Sequence, residues 1–254
     1  MTQPKLEVIL SPAEFASLSQ RDLSQTVCVV FDILRATTSM IIALANGAEA
    51  IIPVAEISEA LTIRQKNPNV LLAGEREGLR IRAELTGSID FDLGNSPREF
   101  TAEKVSGRTI VMTTTNGTRA LRACNGARMI LVASFLNLRA TTNWLLERKP
   151  PHLILVCGGT VDEPALEDVL AAGALCEKIW SNYAGGHLSD SAEIARRIYP
   201  LMQFNLLDAM KHSRNGRRLL ANPELRDDVW LCVQRETVPF AATLMPGGAV
   251  RKLG

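Results

Sequence analysis

Acidic and hydroxyl side chains follow three apolar runs that the sequence predicts to be β-strands. Asp32 comes directly after the first run, and four threonines and an asparagine lie within 113–119, after the second. Glu167 and Asp168 follow the third run. Ligands of parallel α/β sheets bind beyond the carboxyl ends of the strands, so these side chains are candidates for one site. Carboxylates, hydroxyls and helix N-termini suit an oxyanion and a hard metal ion such as Mg²⁺.

Each of these residues also has an ordinary structural explanation. Threonine is a common helix cap, which would explain any single threonine of 113–118. Asp32 could form a turn, and acids at a helix start, such as Glu167 and Asp168, are stabilised by the helix dipole. Cys157 ends the third apolar run and is interpreted mainly as a buried apolar residue. One helix needs only one cap, so the threonine-rich run still favours an anion-binding loop.

The elements that would position these side chains form a quasi-repeat. Residues 27–54 and 108–133 each contain an apolar run, a polar turn, a helical pattern, a glycine and a second apolar run. This order predicts two βαβ units with parallel strands, and a third begins at residue 153. We therefore expect an α/β fold, a three-layer α/β/α arrangement with a largely parallel or mixed sheet.

The rest of the chain is less regular. Residues 70–100 are rich in Gly, Asp, Asn, Ser and Pro after a short apolar run, which predicts a long ordered loop or hairpin. We expect one compact unit over 1–254, with two subdomains, about 1–104 and 105–254, as the alternative. Apolar faces on the C-terminal helices would suit a homodimer.

The composition excludes several classes of protein. The chain has 254 residues, 46% of them hydrophobic, and its 28 Lys and Arg nearly balance its 27 Asp and Glu. This balance argues against a nucleic-acid-binding or polybasic membrane protein. The five cysteines include no Cys-x-x-Cys pair, and no apolar run approaches the ~18 residues of a membrane span. These features predict a cytoplasmic protein with reduced thiols.

Known phosphate-handling motifs are mostly missing. The positions six residues after each cysteine hold no arginine, which excludes the loop of cysteine phosphatases. No GxxxxGK[ST] or GxGxxG string occurs, and Asp32-Ile33-Leu34 lacks the second acid of an Asp-x-Asp phosphatase motif. The three histidines follow none of the predicted strands of the repeats, which disfavours a histidine-based site.

Five strings, in order, resemble the 2-phosphosulfolactate phosphatase (ComB-like) family over most of the chain. They are Asp32-Ile-Leu-Arg-Ala-Thr-Thr38, Gly74-Glu-Arg-Glu-Gly78, Phe91-Asp-Leu-Gly-Asn-Ser-Pro97, Thr113-Thr-Thr-Asn-Gly-Thr118 and Leu166-Glu-Asp168. The strings at 213–216, 228–232 and 238–239 also resemble the C-terminal pattern of the family. The resemblance implies an unusual α/β fold and a Mg²⁺-dependent enzyme. That enzyme would hydrolyse 2-phospho-3-sulfolactate to 3-sulfolactate and phosphate, a step toward coenzyme M.

The chemistry and the resemblance together define a candidate site for a small anionic phosphate ester. The catalytic candidates are Asp32, Glu75 and Asp168, and the Mg²⁺ candidates are Asp32, Glu167 and Asp168. Whether Asp32 is a nucleophile or a metal ligand stays open, since both roles fit its placement. The substrate-binding candidates are Arg35, Thr37, Thr38, Arg76, Asn95, Ser96, Thr114, Thr115, Asn116, Gly117, Thr118 and Arg119.

Three alternative functions stay open at this stage. The same loops could serve a protein that binds or senses phosphate esters without turnover, or a phosphatase for another phosphorylated carboxylic acid. A lyase or isomerase that stabilises an enolate with Mg²⁺ is a third class. Several acids near a dianion would repel it without a metal, which favours the phosphatase.

Overall fold

Short β-branched runs form one sheet in the computed structural model, which describes residues 3–253. Over that range the strands are β1 Lys5–Ile9, β2 Thr26–Phe31, β3 Ala50–Pro53, β4 Leu71–Arg76, β5 Leu79–Arg80, β6 Thr109–Thr113, β7 Met129–Ala133, β8 His152–Cys157, β9 His187–Leu188, β10 Ala242–Leu244 and β11 Val250–Lys252. The α-helices are α1 Phe15–Leu18, α2 Ala36–Ala45, α3 Ile57–Lys66, α4 Ala83–Thr86, α5 Ala102–Val105, α6 Gly117–Ala123, α7 Leu138–Arg148, α8 Leu166–Ile179, α9 Asp190–Met202, α10 Leu206–Met210, α11 Arg214–Ala221 and α12 Arg226–Cys232.

The sheet consists of two parallel blocks joined by an antiparallel hairpin. Its strand order is β5-β4-β6-β3-β11-β10-β7-β2-β8-β1-β9. Strands β4, β6 and β3 are parallel to one another, and so are β7, β2, β8, β1 and β9. The hairpin of β10 and β11 pairs antiparallel with β7 on one side and with β3 on the other. The sheet is therefore mixed and largely parallel, as the sequence predicts.

The prediction that each repeat keeps its two strands parallel is wrong. β2 pairs with β7, and β3 pairs with β6, so the repeats exchange strands. Three antiparallel pairings separate β3 from β7, and the two strands of each repeat therefore run in opposite directions along the sheet. The hairpin at 242–252 causes this reversal, because it lies between the two blocks.

Side chains alternate between two helical layers. In β2, Val27, Val29 and Phe31 pack in the core that contains α7 to α12, whereas Cys28 and Val30 pack with α2 and α6. In β6, Ile110 and Met112 pack with α2 and α6, and Val111 packs toward α3. Successive strand residues point to opposite faces, so apolar residues on both faces require cover on both. The three-layer α/β/α arrangement is confirmed.

The sheet coils around α2 and α6. Both helices pack in one core cluster with strands of both blocks, and α6 contacts β2 and α2. A twist of roughly 20–25° per strand accumulates over the five steps from β6 to β2, which turns their carboxyl ends toward each other. Residues that follow β2, β4 and β6 thereby meet at one place.

The less regular segments form short elements. Within 70–100, β4 and β5 form the predicted hairpin, followed by the four-residue helix α4. The family-like string 228–232 lies within α12. Strands that precede residue 104 in the sequence and strands that follow it belong to the same sheet. Within residues 3–253 no helix combines the length and the apolar character of a membrane span.

Candidate active site

Loops from both parallel blocks surround a cavity of about 330 Å³. This size is at the small end for ligand pockets, which suits a small acid better than a nucleotide. Seven residues that the sequence singled out line the cavity, namely Asp32, Arg35, Glu75, Arg76, Asn95, Thr115 and Asn116. The sheet thus brings together strings that are far apart in sequence.

Asp32 lies at the bottom of the loop that follows β2 and is 7% exposed. Its Oδ1 accepts a hydrogen bond from the Ala36 N–H at 3.1 Å, while no hydrogen bond within residues 3–253 engages Oδ2. Burial, together with the charges of the nearby Glu75 and Glu167, raises the pKa of Asp32 to about 7 against the opposing effect of the Ala36 N–H. Asp32 therefore offers the cavity an oxygen that is open to a ligand.

Gly117 allows the first turn of α6 to approach Asp32. A Cβ at this position would lie 2.8 Å from Asp32 Oδ2 and 2.6 Å from the Ala36 Cβ. Neither distance is compatible with a side chain, so this contact between the two repeats requires glycine. The N–H groups of Asn116 and Gly117 donate to no oxygen within the described range 3–253. They are available to an anion beside Asp32.

Glu75 and Asp168 each hold two loops together through backbone N–H groups. Glu75 Oε1 and Oε2 accept hydrogen bonds from the Thr115 and Gly78 N–H at 2.8 and 2.7 Å. Asp168 Oδ1 and Oδ2 accept from the Ile33 and Gly159 N–H at 2.8 and 2.9 Å. Charged acceptors form strong hydrogen bonds of this kind, and these two residues fix the shape of the cavity.

The two carboxylates nonetheless differ in position. Glu75 lines the cavity, whereas Asp168 lies behind Asp32 and is 2% exposed. Burial raises the pKa of Asp168 well above its usual value, and the nearby Glu167 and Asp32 raise it further. The structure therefore places Asp168 as a support for the Asp32 loop.

Glu167 contains a buried oxygen without a partner. Its Oε1 accepts from the Asn215 amide at 2.7 Å, and the same amide group donates to Thr160 Oγ1 at 2.7 Å. Among residues 3–253, Oε2 has no hydrogen-bond partner. Buried polar atoms are rarely left unpaired, so this oxygen is a candidate ligand for a cation.

Most of the threonines predicted to bind substrate form hydrogen bonds with the backbone, and one lines the cavity. The hydroxyl groups of Thr37 and Thr38 donate to the carbonyls of Asp32 and Ile33 at 3.0 and 2.9 Å, and both residues are buried away from the cavity lining. Thr118 donates in the same way to the Thr114 carbonyl at 2.8 Å, and its N–H lies 3.4 Å from Thr114 Oγ1. These four threonines stabilise turns and helix starts, as their capping preference allows. Thr115 is the threonine of the run 113–118 that lines the cavity.

The predicted arginines are mostly engaged elsewhere. Arg35 donates to Asp228 Oδ2 and to the Gly78 carbonyl, both at 2.7 Å. Arg76 donates to the carbonyls of Glu75 and Ala55 and to Thr113 Oγ1 at 2.7, 3.3 and 3.1 Å. Arg119 lies outside the lining, with its Nη2 3.9 Å from Asp162 Oδ1. Arg35 and Arg76 therefore line the cavity, but their guanidinium groups already donate hydrogen bonds to other groups of the protein.

Asn95 and Ser96 take different positions. Asn95 lines the cavity, and its buried Oδ1 has no hydrogen-bond partner in the described part of the chain, residues 3–253, as is also true of Asn116 Oδ1. Ser96 instead donates to Asp228 Oδ1 at 2.6 Å, which Arg98 Nε also approaches at 2.7 Å. Asp228, a residue of α12, is fully buried. Its carboxylate connects α12 to the loop after β2, through Arg35, and to the segment before α5, through Ser96 and Arg98.

Sequence reasoning missed several residues of the lining. These are Leu34, Glu77, Gly78, Thr160, Val161, Asn215 and Arg218. The family-like string 213–216 could have indicated Asn215, and the string at 228–232 contains Asp228. Cys157, for which a place in the site was a secondary option, is buried in the core, and burial raises the pKa of its thiol.

Asp32, which lines the cavity, and Glu167, which lies outside the lining, carry the oxygens that would fit Mg²⁺. Within the described range 3–253, Asp32 Oδ2 and Glu167 Oε2 make no hydrogen bond, and the two carboxylates are close enough for the charge of Glu167 to raise the pKa of Asp32. No group of three or more His, Cys, Asp or Glu residues within 3–253 is placed to hold a metal. Mg²⁺ commonly uses only one or two carboxylates and retains several waters.

The protein has an α/β fold, and loops from both parallel blocks of its sheet line one cavity. Residues 14–245 match the model of the family described as 2-phosphosulpholactate phosphatase. The chain belongs to the 2-phosphosulfolactate phosphatase family.

Relatives in several bacteria cover nearly the same length. One from Thermotoga petrophila is 38% identical over 88% of this chain and 91% of its own. Others, from Caldicellulosiruptor saccharolyticus and Clostridium novyi, are 34% and 33% identical, over 91% and 92% of this chain and 93% and 94% of theirs. Each is described as a "probable 2-phosphosulfolactate phosphatase".

Proposed function

We propose that this protein hydrolyses 2-phospho-3-sulfolactate to 3-sulfolactate and phosphate with Mg²⁺ as its cofactor. The family membership and the names of the relatives support the reaction. One structural observation carries it: the open oxygen of Asp32 lies beside the unpaired N–H groups of Asn116 and Gly117. A phosphate bound to those N–H groups would have its phosphorus near the Asp32 carboxylate.

The residues of the cavity have separate tasks in this proposal. The Asn116 and Gly117 N–H groups would hold phosphate oxygens, and Arg76 would add positive charge. Glu75 would keep the Thr115 loop in place through its hydrogen bond to the Thr115 N–H. The reaction breaks the bond between phosphorus and the ester oxygen, and water supplies the oxygen that ends on phosphate.

Mg²⁺ would be held by Asp32 and Glu167. When bound, it supplies neutralisation of the charge on the phosphate oxygens. Asp168 would keep Asp32 in position from behind, through the Ile33 N–H.

Two roles fit Asp32, and an experiment distinguishes them. Asp32 could attack phosphorus with its open Oδ2 and form an aspartyl phosphate, in which case Glu167 would supply the carboxylate for Mg²⁺. Alternatively, Asp32 could use that oxygen to hold Mg²⁺ while a water molecule attacks. Acid quenching during turnover of a ³²P-labelled substrate traps label on the protein only in the first case. Asp32→Asn should lower kcat at least about 1,000-fold in either case.

The proposed activity is tested by phosphate release from phosphosulfolactate, phospholactate and phosphoglycolate, with Mg²⁺ or with EDTA. We expect release from phosphosulfolactate that EDTA abolishes and Mg²⁺ restores. Binding of the ester without release would favour a sensing protein and contradict the proposal. Phosphate release that EDTA leaves unchanged would overturn the cofactor assignment alone.

Further expectations follow from the resemblance. A place in coenzyme M formation and a cytoplasmic location are part of the proposal. The absence of a nucleic-acid partner and a homodimeric state stay predictions from composition and from the apolar faces of the C-terminal helices.

A further inference from the structure

Arg218 presents an unpaired guanidinium to the cavity. It lies on α11 and lines the cavity, with its side chain exposed. Within residues 3–253 its guanidinium makes no ion pair and no hydrogen bond, in contrast to Arg35 and Arg76 in the same lining. Glu77, an exposed acid of the same lining, is not ion-paired with it. Arg218 is therefore the cavity arginine whose donors are open to a ligand.

Arg218 lies next to a second guanidinium. A Cβ placed on Gly78 would be 3.3 Å from Arg218 Nη2 and 3.9 Å from Arg35 Nη2. Gly78 has φ of +82°, a conformation that favours glycine, and the absence of a side chain leaves this space open. Only Arg35 is neutralised by a protein carboxylate, Asp228, at 2.7 Å. Glu75 accepts a hydrogen bond from the Gly78 N–H, but within residues 3–253 no carboxylate is ion-paired with Arg218 itself, so its guanidinium is free to pair with an anion.

Arg218 and the groups that would hold the phosphate belong to different elements. The unpaired N–H groups belong to Asn116 and Gly117 at the start of α6, whereas Arg218 comes from α11 and approaches Gly78 after β4. Glu75 joins the two places, because its carboxylate accepts hydrogen bonds from the Gly78 and Thr115 N–H groups, and a ligand with two anionic groups could contact both.

We infer that Arg218 binds the second, non-reacting anionic group of the substrate, a carboxylate or a sulfonate. Arginine suits this role because its planar guanidinium can donate two parallel hydrogen bonds to an oxyanion. The inference rests on the proposed function, since it names the residue that would select acid-bearing phosphate esters from other phosphate monoesters. Arg218 is then a specificity determinant.

The kinetic test compares Arg218→Gln with Arg217→Gln on substrates with and without a second anion. Arg217 is the adjacent exposed arginine, which donates to the His212 carbonyl at 2.7 Å and lies outside the lining, so its variant has the same change in charge. The substrates are phospholactate, phosphoisethionate and isopropyl phosphate, which carry a carboxylate, a sulfonate and neither.

For Arg218→Gln we expect KM to rise about 10- to 100-fold for the acid-bearing substrates, with kcat within about threefold. The value of kcat/KM for isopropyl phosphate should stay unchanged. Arg218→Lys should recover part of the lost affinity because it keeps the charge without the planar fork. The substrate whose KM rises more shows whether Arg218 binds the carboxylate or the sulfonate.

A binding measurement separates this inference from the proposed function. Calorimetry with 3-sulfolactate and with lactate needs no turnover. Loss of binding in Arg218→Gln but not in Arg217→Gln supports the inference even if the wild type releases no phosphate. Equal behaviour of the two variants overturns the inference while the proposed function stands. Absence of wild-type binding to either acid, together with absence of turnover, overturns both.

Discussion

Asp32 holds its carboxylate in a buried position near two other acids, Glu75 and Glu167. Burial and the charges of these acids raise its pKa to about 7, so the protein must accommodate an unfavourable charge at neutral pH. Functional sites often contain groups whose pKa is displaced in this way. The same displacement has a consequence for stability.

The metal-free protein should lose stability as pH rises because of Asp32. Its folded pKa, about 7, lies above the ordinary 3.8, so the stabilisation is complete below about pH 4 and is lost as pH rises through 7. Asp32→Asn removes this dependence and should be more stable than wild type at pH 8 by on the order of 2–4 kcal/mol.

Urea unfolding in EDTA at pH 5 and pH 8 checks this expectation. The exposed Asp162 provides the control, and Asp162→Asn should follow the wild type at both pH values. The idea fails if Asp32→Asn shows the same decrease between the two pH values as the wild type.

Asp228 is the buried acid on which Arg35 depends. It is fully buried, and its carboxylate accepts hydrogen bonds from Arg35, Ser96 and Arg98. Asp228→Ala would leave Arg35 buried and uncompensated, which should destabilise the fold by about 3–5 kcal/mol.

Thermal unfolding of Asp228→Ala beside Asp227→Ala measures the difference. Asp227 is exposed and lies 3.6 Å from Arg98, so its loss should change stability by less than about 1 kcal/mol. Equal effects of the two substitutions would show that the buried pair contributes little.

At this scale the sequence predicts residue types better than their contacts. Asp32, Glu75 and Asn116 were found because each follows a predicted strand or falls in a family-like string. The inward direction of Arg218 and the outward direction of Arg119 could not be predicted, because both depend on how helices 90 or more positions apart are placed. The hydroxyls of Thr37 and Thr38 look equally suited to a ligand until their carbonyl partners are seen.

Helices α8 and α9 pack so closely that one glycine separates them. A Cβ on Gly173 in α8 would lie 2.1 Å from the Ala195 carbonyl oxygen in α9. This contact holds the layer that covers β1 and β8.

Gly173→Ala should destabilise the protein in spite of the helix preference of alanine. That preference contributes about 1 kcal/mol, but the clash is with backbone and requires the helices to separate, which commonly costs about 1–3 kcal/mol or more. We expect a net loss of at least about 1 kcal/mol in urea unfolding. Gly185→Ala, where nothing lies within 4 Å of the Cβ, should be nearly neutral, and a stabilising Gly173→Ala would refute the argument.

Long periodic elements were predictable and short ones were not. The strands 26–31 and 152–157 and the helix of 166–179 have strong apolar patterns. Helices of four residues such as α4 and α5 have too few hydrogen bonds to form by propensity, since helix nucleation is unfavourable. They depend on the surrounding tertiary structure, which no local pattern contains.

The two blocks of the sheet meet at the hairpin of β10 and β11. Val250 in β11 is fully buried opposite Ile51 of β3, and Ala242 in β10 pairs with Val132 of β7. The sequence of this hairpin is short and weakly patterned, so its position between the repeats was not predictable. The reversed direction of the two blocks follows from that one insertion.

Val250→Ala should therefore weaken the whole sheet. Removal of two buried methyl groups should cost about 2 kcal/mol, and the loss should appear as one cooperative transition shifted to lower temperature. Arg251→Ala changes the exposed neighbour and should have an effect below about 1 kcal/mol. A Val250→Ala protein as stable as Arg251→Ala would show that the hairpin is dispensable.

The exchange of strands between the repeats also constrains biosynthesis. As the polypeptide leaves the ribosome, β2 and β3 emerge early, but their neighbours β7, β8, β6 and β11 follow only later. The first half of the nascent chain must wait with open strand edges until its later partners arrive. Such edges attract other chains, so the period before residue 252 emerges is when molecular chaperones would matter most to this protein.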